Sequence, residues 1–142
     1  MKKRILAILL TLAILAVPIL ACAEEVTTPA EIEIIQFYSY TNSVTTTLSI
    51  SSSGNATATG SITGYYGTTT SVDIFLYIQQ YKNGAWVNVG SWSSIGINSY
   101  KGALSKSMSV ARGYTYRVKA SYYANSGSKW ENIVQYSQNV YY

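Results

Sequence analysis

Histidine is absent from the 142 residues, cysteine occurs once, proline twice, and Asp and Glu together number six. Without histidine the commonest general base and the commonest imidazole metal ligand are gone. The lone cysteine, Cys22, leaves no intrachain disulfide, and a thiolate nucleophile would have to be that one residue. The prolines are Pro18 and Pro29, so nothing beyond residue 29 carries the residue that most readily interrupts a β-ladder. Acids are nearly missing from the body of the chain: Glu24, Glu25, Glu31 and Glu33 lie near its start, and from Phe37 onward only Asp73 and Glu131 remain.

The apolar run is also short. Lys2, Lys3 and Arg4 precede the segment Ile5 to Leu20, which falls below the roughly 20 residues of a spanning helix. It ends in small residues at Ala21 and Ala23. A basic start, a brief apolar middle and an A-x-A site form a secretory signal cleaved after Ala23. This gives a signal over 1–23, a flexible acidic lead over 24–31 and a single domain over 32–142, in a protein released outside the cell. The stretch "ILAC" offers an alternative, lipidation of Cys22 and anchoring at the cell surface. The chain ends in "NVYY", without an apolar tail or sorting motif, which favours release. Three of the ten basic residues belong to the signal, so the formal charge of +4 overstates the basicity of the remainder. The remaining cations are scattered, not clustered as a nucleic-acid footprint requires. No nucleic acid, membrane span or cofactor is expected.

What is present is abundant Tyr, Thr, Ser and Val in short alternating runs separated by Gly, Ser and Asn, the pattern of an all-β domain. Strands are expected near 33–40, 44–51, 56–64, 71–82, 85–93, 102–110, 114–124 and 131–140. The triplet Asn55-Ala56-Thr57 fits a glycosylation sequon but reads as a turn entering a strand. In "SVDIFLYIQQYKNGAWVNVGSW" the pair Asn83-Gly84 demands a type I′ hairpin. Continued without a break, that register pairs Lys82 with Ala85, Tyr81 with Trp86, Ile78 with Val89 and Phe75 with Trp92. One face then carries Ile74, Leu76, Ile78, Val87 and Val89, the natural core side. The other carries Phe75, Tyr77, Tyr81, Trp86 and Trp92.

Farther along, "GYTYRVKASYY" alternates Tyr114, Tyr116, Val118, Ala120 and Tyr122 with Arg117, Lys119 and Tyr123. This Gly-Tyr-x-Tyr-x-Val-x-Ala run resembles the sixth strand of fibronectin type III and related immunoglobulin-like domains, whose strand-opening tyrosine ties back to the loop before it; Tyr114 holds the matching position. The resemblance implies a sandwich of about seven to eight antiparallel strands, with "GALSKSMSV" as the fifth strand and "NIVQYSQNVYY" as the last. Together "GNATATGSITGYYG", the "YIQQY" hairpin and "GYTYRVKASY" are also similar to small exported β-sandwich proteins of Gram-positive bacteria. That second resemblance implies secretion and brings no activity.

An immunoglobulin-like order sets strand 71–82 beside strand 114–124. Phe75, Tyr77, Tyr81, Trp86 and Trp92 then neighbour Arg117, Lys119 and Tyr123, a strip suited to stacking on sugar rings or on a protein surface. The expected partners are polysaccharide, cell-wall glycopolymer or a surface protein. Aromatics in strands also stabilise hairpins without any ligand, and a one-residue bulge would turn them inward.

Enzymatic equipment is thin. Glycoside hydrolysis would need Asp73 and Glu131 as its carboxylate pair, and a serine nucleophile would have only lysines as its base. No G-x-S-x-G elbow is present. A lysine to asparagine crosslink beside a carboxylate is compatible with the composition, though no spacing selects a pair. A non-catalytic binding module is therefore expected, with a structural or assembly protein as the alternative. A pore built from the Ser/Thr-rich run at 45–64 ranks behind both, since that run lacks a lipid-facing apolar band.

Overall fold

The computed structural model describes residues 38–142, and all regular structure among them is β-strand. No helix among the described residues is long and apolar enough to cross a membrane. The expected signal, the lead and most of the expected 33–40 strand lie outside the described residues, and residues 38–40 belong to no strand.

Eight strands follow in order: β1 (Thr41–Ile50), β2 (Asn55–Gly64), β3 (Ser71–Lys82), β4 (Ala85–Ile97), β5 (Lys101–Ser109), β6 (Thr115–Ser126), β7 (Lys129–Tyr136) and β8 (Val140–Tyr141). They form two antiparallel sheets, β1-β2-β5 and β4-β3-β6-β7, with β8 also pairing to β6. β5 lies over β3 and β4, while β1 lies over β6 and β7. This is an immunoglobulin-like, fibronectin type III-like sandwich, open at its edges.

Strict alternation builds the core. β3 contributes Val72, Ile74, Leu76 and Ile78; β6 contributes Tyr116, Val118, Ala120, Tyr122 and Ala124. The facing strand β2 is small where β6 is large. Its inward residues are Ala56, Ala58, Gly60, Ile62 and Gly64, which leaves depth for two tyrosines to lie fully buried between the sheets. Tyr122 donates its hydroxyl to the Thr45 carbonyl of β1 at 2.7 Å and lies 2.7 Å from the Thr46 hydroxyl, so a ring rooted in one sheet is fastened to the far edge of the other.

Tyr116 supplies the corner that sequence reading assigns to Tyr114. Its hydroxyl donates to the Ala111 carbonyl at 2.7 Å and accepts from Gln80 Nε2 at 2.9 Å. Tyr114 precedes β6, is only half-buried, and uses its carbonyl to accept from the Tyr142 N–H. The reach back over five residues places the anchoring ring one alternation later than the resemblance implied.

The last strand is not continuous over 131–140. β7 stops at Tyr136, and at Ser137 the hydroxyl takes over one ladder position, accepting from Val118 N–H at 2.8 Å while Ser137 N–H donates to the Val118 carbonyl. The chain then returns as β8 against Thr115 and Tyr116.

The outer face of the three-stranded sheet is a hydroxyl surface. Thr47, Thr59 and Ser105 align in one row and Ser49, Thr57 and Ser107 in the next. Between β2 and β5 the side chains of each row bond to one another, Thr57 to Ser107 at 2.8 Å and Thr59 to Ser105 at 3.0 Å.

Candidate functional site

The outer face of the larger sheet is chemically its opposite. The hairpin that builds it turns at Asn83 and Gly84, both at positive φ (53° and 80°), as a type I′ turn requires. Lys82 pairs with Ala85 and Tyr81 with Trp86, and Gln79 still pairs with Asn88. Ile78 then pairs with Gly90, leaving Val89 as the extra residue of a β-bulge.

That single residue overturns part of the register expected from sequence. Trp92 lies opposite Leu76, not Phe75, and packs against the core instead of joining the outer face. Gly90 makes room for it: a Cβ there would come within 2.6 Å of Trp92 Cη2 and 2.5 Å of Met108 Sδ. Val87 and Val89, expected in the core, are exposed: β4 is the edge strand of its sheet, and Val89 lies at the rim of the sandwich beside Met108 and Val110.

The remaining expected residues do share one face. Cross-strand rows run Ser91, Tyr77, Lys119, Tyr136; then Ser93, Phe75, Ser121, Val134; then Asp73, Tyr123, Asn132. At the turn end, Trp86 stands opposite Tyr81 with ring centroids 5.2 Å apart. The Arg117 guanidinium lies 4.1 Å from the Trp86 ring and 4.2 Å from the Tyr136 ring, rings contributed from strands on either side of β6. Its Nε donates to Gln79 Oε1 at 2.9 Å, and Gln79 Nε2 donates to Asn88 Oδ1 at 2.9 Å. Gln79 is thereby only 8% exposed although it points outward. Each cation–π contact is worth about 0.5–1 kcal/mol at an exposed site and more when water is excluded, so this ladder rigidifies the face on its own account.

At the opposite end Phe75 meets Tyr123 edge to face at 5.7 Å, and Tyr123 meets Trp130 at 5.8 Å. Trp130, Val134 and Tyr136 belong to β7 and were not among the residues expected from sequence. Trp130 is 63% exposed, and Tyr81 and Tyr136 are each 46% exposed. From the Tyr81 row to the Asp73 row the face runs eight residues of β3, roughly 27 Å at 3.4 Å per residue.

The two carboxylates cannot act as a pair. Asp73 points outward and accepts from the Gly96 N–H at 2.6 Å, closing a second bulge in β4 where Gly96 has φ of 70°. Glu131 stands opposite the buried Ala124, on the other side of the sheet, and accepts from the backbone N–H groups of Ser39 and Tyr40, each at 2.9 Å. Both are occupied in holding backbone. Among the described residues no group of three or more His, Cys, Asp or Glu side chains converges on a metal-sized site.

No protein-family model matches the chain, and no curated protein matches it. What the strands bring together on this face is a set of partly exposed rings with two cations, Arg117 and Lys119, among them.

Proposed function

We propose that this chain is an exported, non-catalytic binding module that takes polysaccharide or cell-wall glycopolymer on the outer face of the larger sheet. The observation that carries this reading is the ladder of Trp86, Arg117 and Tyr136, which fixes rings in place while Tyr81, Tyr136 and Trp130 remain substantially exposed. Leaving large aromatic area in water on one face is costly unless something covers it. Rings already ordered lose little entropy when a sugar stacks on them. In this reading residues 1–23 are the export signal, cleaved after Ala23, with lipidation of Cys22 and anchoring at the cell surface as the alternative; the basic start, the short apolar run and the A-x-A pattern of Ala21 and Ala23 support export.

The test is retention of the protein on insoluble polysaccharides and isolated Gram-positive cell wall, compared with a Tyr81→Ala/Trp130→Ala variant of unchanged unfolding transition. Retention lost in the variant supports the reading; equal retention, or none by the parent, refutes it for those matrices.

A structural or assembly role is favoured by a different observation. β1 is an edge strand of ten residues, Thr41–Ile50, without charge or proline and with its only register irregularity at Thr41/Ser43. Such an edge is open to pairing with another strand. Sedimentation that rises with concentration, and falls when Thr47→Lys is introduced, identifies that role.

A further inference from the structure

We infer that the ligand of this face is an acidic polysaccharide whose carboxylate is carried on a pyranose ring, received between Arg117 and Lys119. The inference rests on the binding role proposed above and narrows it to one ligand chemistry.

Charge complementarity is the first argument. Among the described residues the basic side chains are Lys82, Lys101, Lys106, Arg112, Arg117, Lys119 and Lys129, and the acids only Asp73 and Glu131. Neither acid neutralises the centre of the face. Glu131 lies on the inner side of the sheet, and Asp73 sits in the Tyr123 row, four residues of β6 from Lys119, about 13 Å away at 3.3 Å per residue.

Unused donors are the second. Arg117 spends its Nε on Gln79, and its two Nη groups have no hydrogen-bond partner among the described residues. The Lys119 ammonium has none either, in a row between Tyr77 and Tyr136. Arg117 and Lys119 are two apart on β6, so their side chains leave the same face. A guanidinium held by two rings with one edge unpaired is preorganised for a carboxylate, which it can bind in a forked geometry.

Placement of the rings is the third. Tyr136 and Tyr77 flank Lys119, while Trp86 and Tyr136 flank Arg117. A ligand with its charge on the sugar ring satisfies stacking and ion pairing within one residue. A flexible polyol phosphodiester carries charge but no ring to stack, so the carboxylated pyranose fits both elements and the phosphodiester only one.

Affinity electrophoresis of the full chain in native gels containing polygalacturonate, its methyl-esterified form, or dextran sulfate tests this. The free acid is expected to retard the protein at least roughly tenfold more strongly than the ester, the difference made by one charge-assisted hydrogen bond. Lys119→Met should lower retardation by the acid to the level of the ester, and Arg117→Lys, which keeps charge and loses the fork, should fall between. Each variant is used only with an unchanged unfolding transition, which an outward Lys119 permits. Equal retardation by acid and ester, untouched by Lys119→Met, overturns the inference and leaves the binding module standing. Dextran sulfate retarding the protein as strongly as the acid, with no effect of Tyr77→Ala, also overturns it in favour of a plain polyanion surface. If acid and ester both fail to retard the protein the inference falls, and the wider reading falls with it only if insoluble polysaccharides and cell wall also fail to retain it.

Discussion

A Cβ built on Gly60 would lie 2.7 Å from the hydroxyl of Tyr122, the ring that crosses the sandwich to Thr45 and Thr46. The same Cβ would lie 2.7 Å from Leu76 Cδ2, so neither neighbour can yield without disturbing buried contacts. Gly60→Ala is therefore expected to destabilise the domain by about 1–3 kcal/mol despite adding a better strand former, as overpacked cores do. Urea unfolding measures it; a neutral or stabilising result would show that Tyr122 is free to move.

Burial pushes the Tyr122 phenol above its ordinary pKa of 10.0, against the opposing hydrogen bonds from Thr46 and the Ser61 backbone. The folded state thus holds this proton more tightly than the unfolded state. Below pH 10 both states are protonated and Tyr122 adds no pH dependence. As pH rises past 10 the unfolded chain ionises first, so its contribution to stability is lost progressively up to and through the raised folded value. Stability plotted against alkaline pH should fall less steeply in Tyr122→Phe, which lacks the titrating group while losing about 1–3 kcal/mol at neutral pH for the orphaned Thr45 carbonyl.

Removing the corner hydroxyl separates two adjacent tyrosines. Tyr116→Phe should cost about 1–3 kcal/mol, because the Ala111 carbonyl and Gln80 amide lose a buried partner. Tyr114→Phe should change stability by less than about 0.5 kcal/mol, in the range of ordinary partly exposed sites. Paired thermal melts distinguish them, and equal losses would move the corner back to Tyr114.

The tryptophans divide by role. Trp92→Ala should destabilise the fold by about 3–5 kcal/mol at most, through the cavity left beside Gly90 and Met108. Trp130→Ala should leave the melt almost unchanged while weakening retention on polysaccharide. Iodide quenching in the single-tryptophan variants gives an independent check: Trp130, 63% exposed, should be quenched readily and Trp92 poorly.

Much of the frame was legible from local chemistry. Asn83-Gly84 dictated its turn, the limits of β3 coincide with the expected 71–82, and the alternation in β6 gave its buried face directly. The bulge at Val89 was not legible, because no residue there is one that a bulge demands; its cause is tertiary, the fit of Trp92 over Gly90 against Met108. The corner was misplaced by one alternation because Tyr114 and Tyr116 share a parity and only the path of the preceding loop separates them. Trp130, Val134 and Tyr136 did alternate visibly, yet which side they took depended on pairing Asn125 with Trp130 across a turn that sequence left open.

The hydroxyl rows on the three-stranded sheet acquire a meaning once the opposite face is occupied. A protein laid down through its rings would present these Thr and Ser rows to the surroundings, Thr57 and Thr59 already bonded to Ser107 and Ser105, with Lys101 at the end of the face in the Thr63 row. A layer of such molecules would behave as a wettable, hydroxyl-rich coating with few charges, altering how whatever lies beneath meets water and solutes.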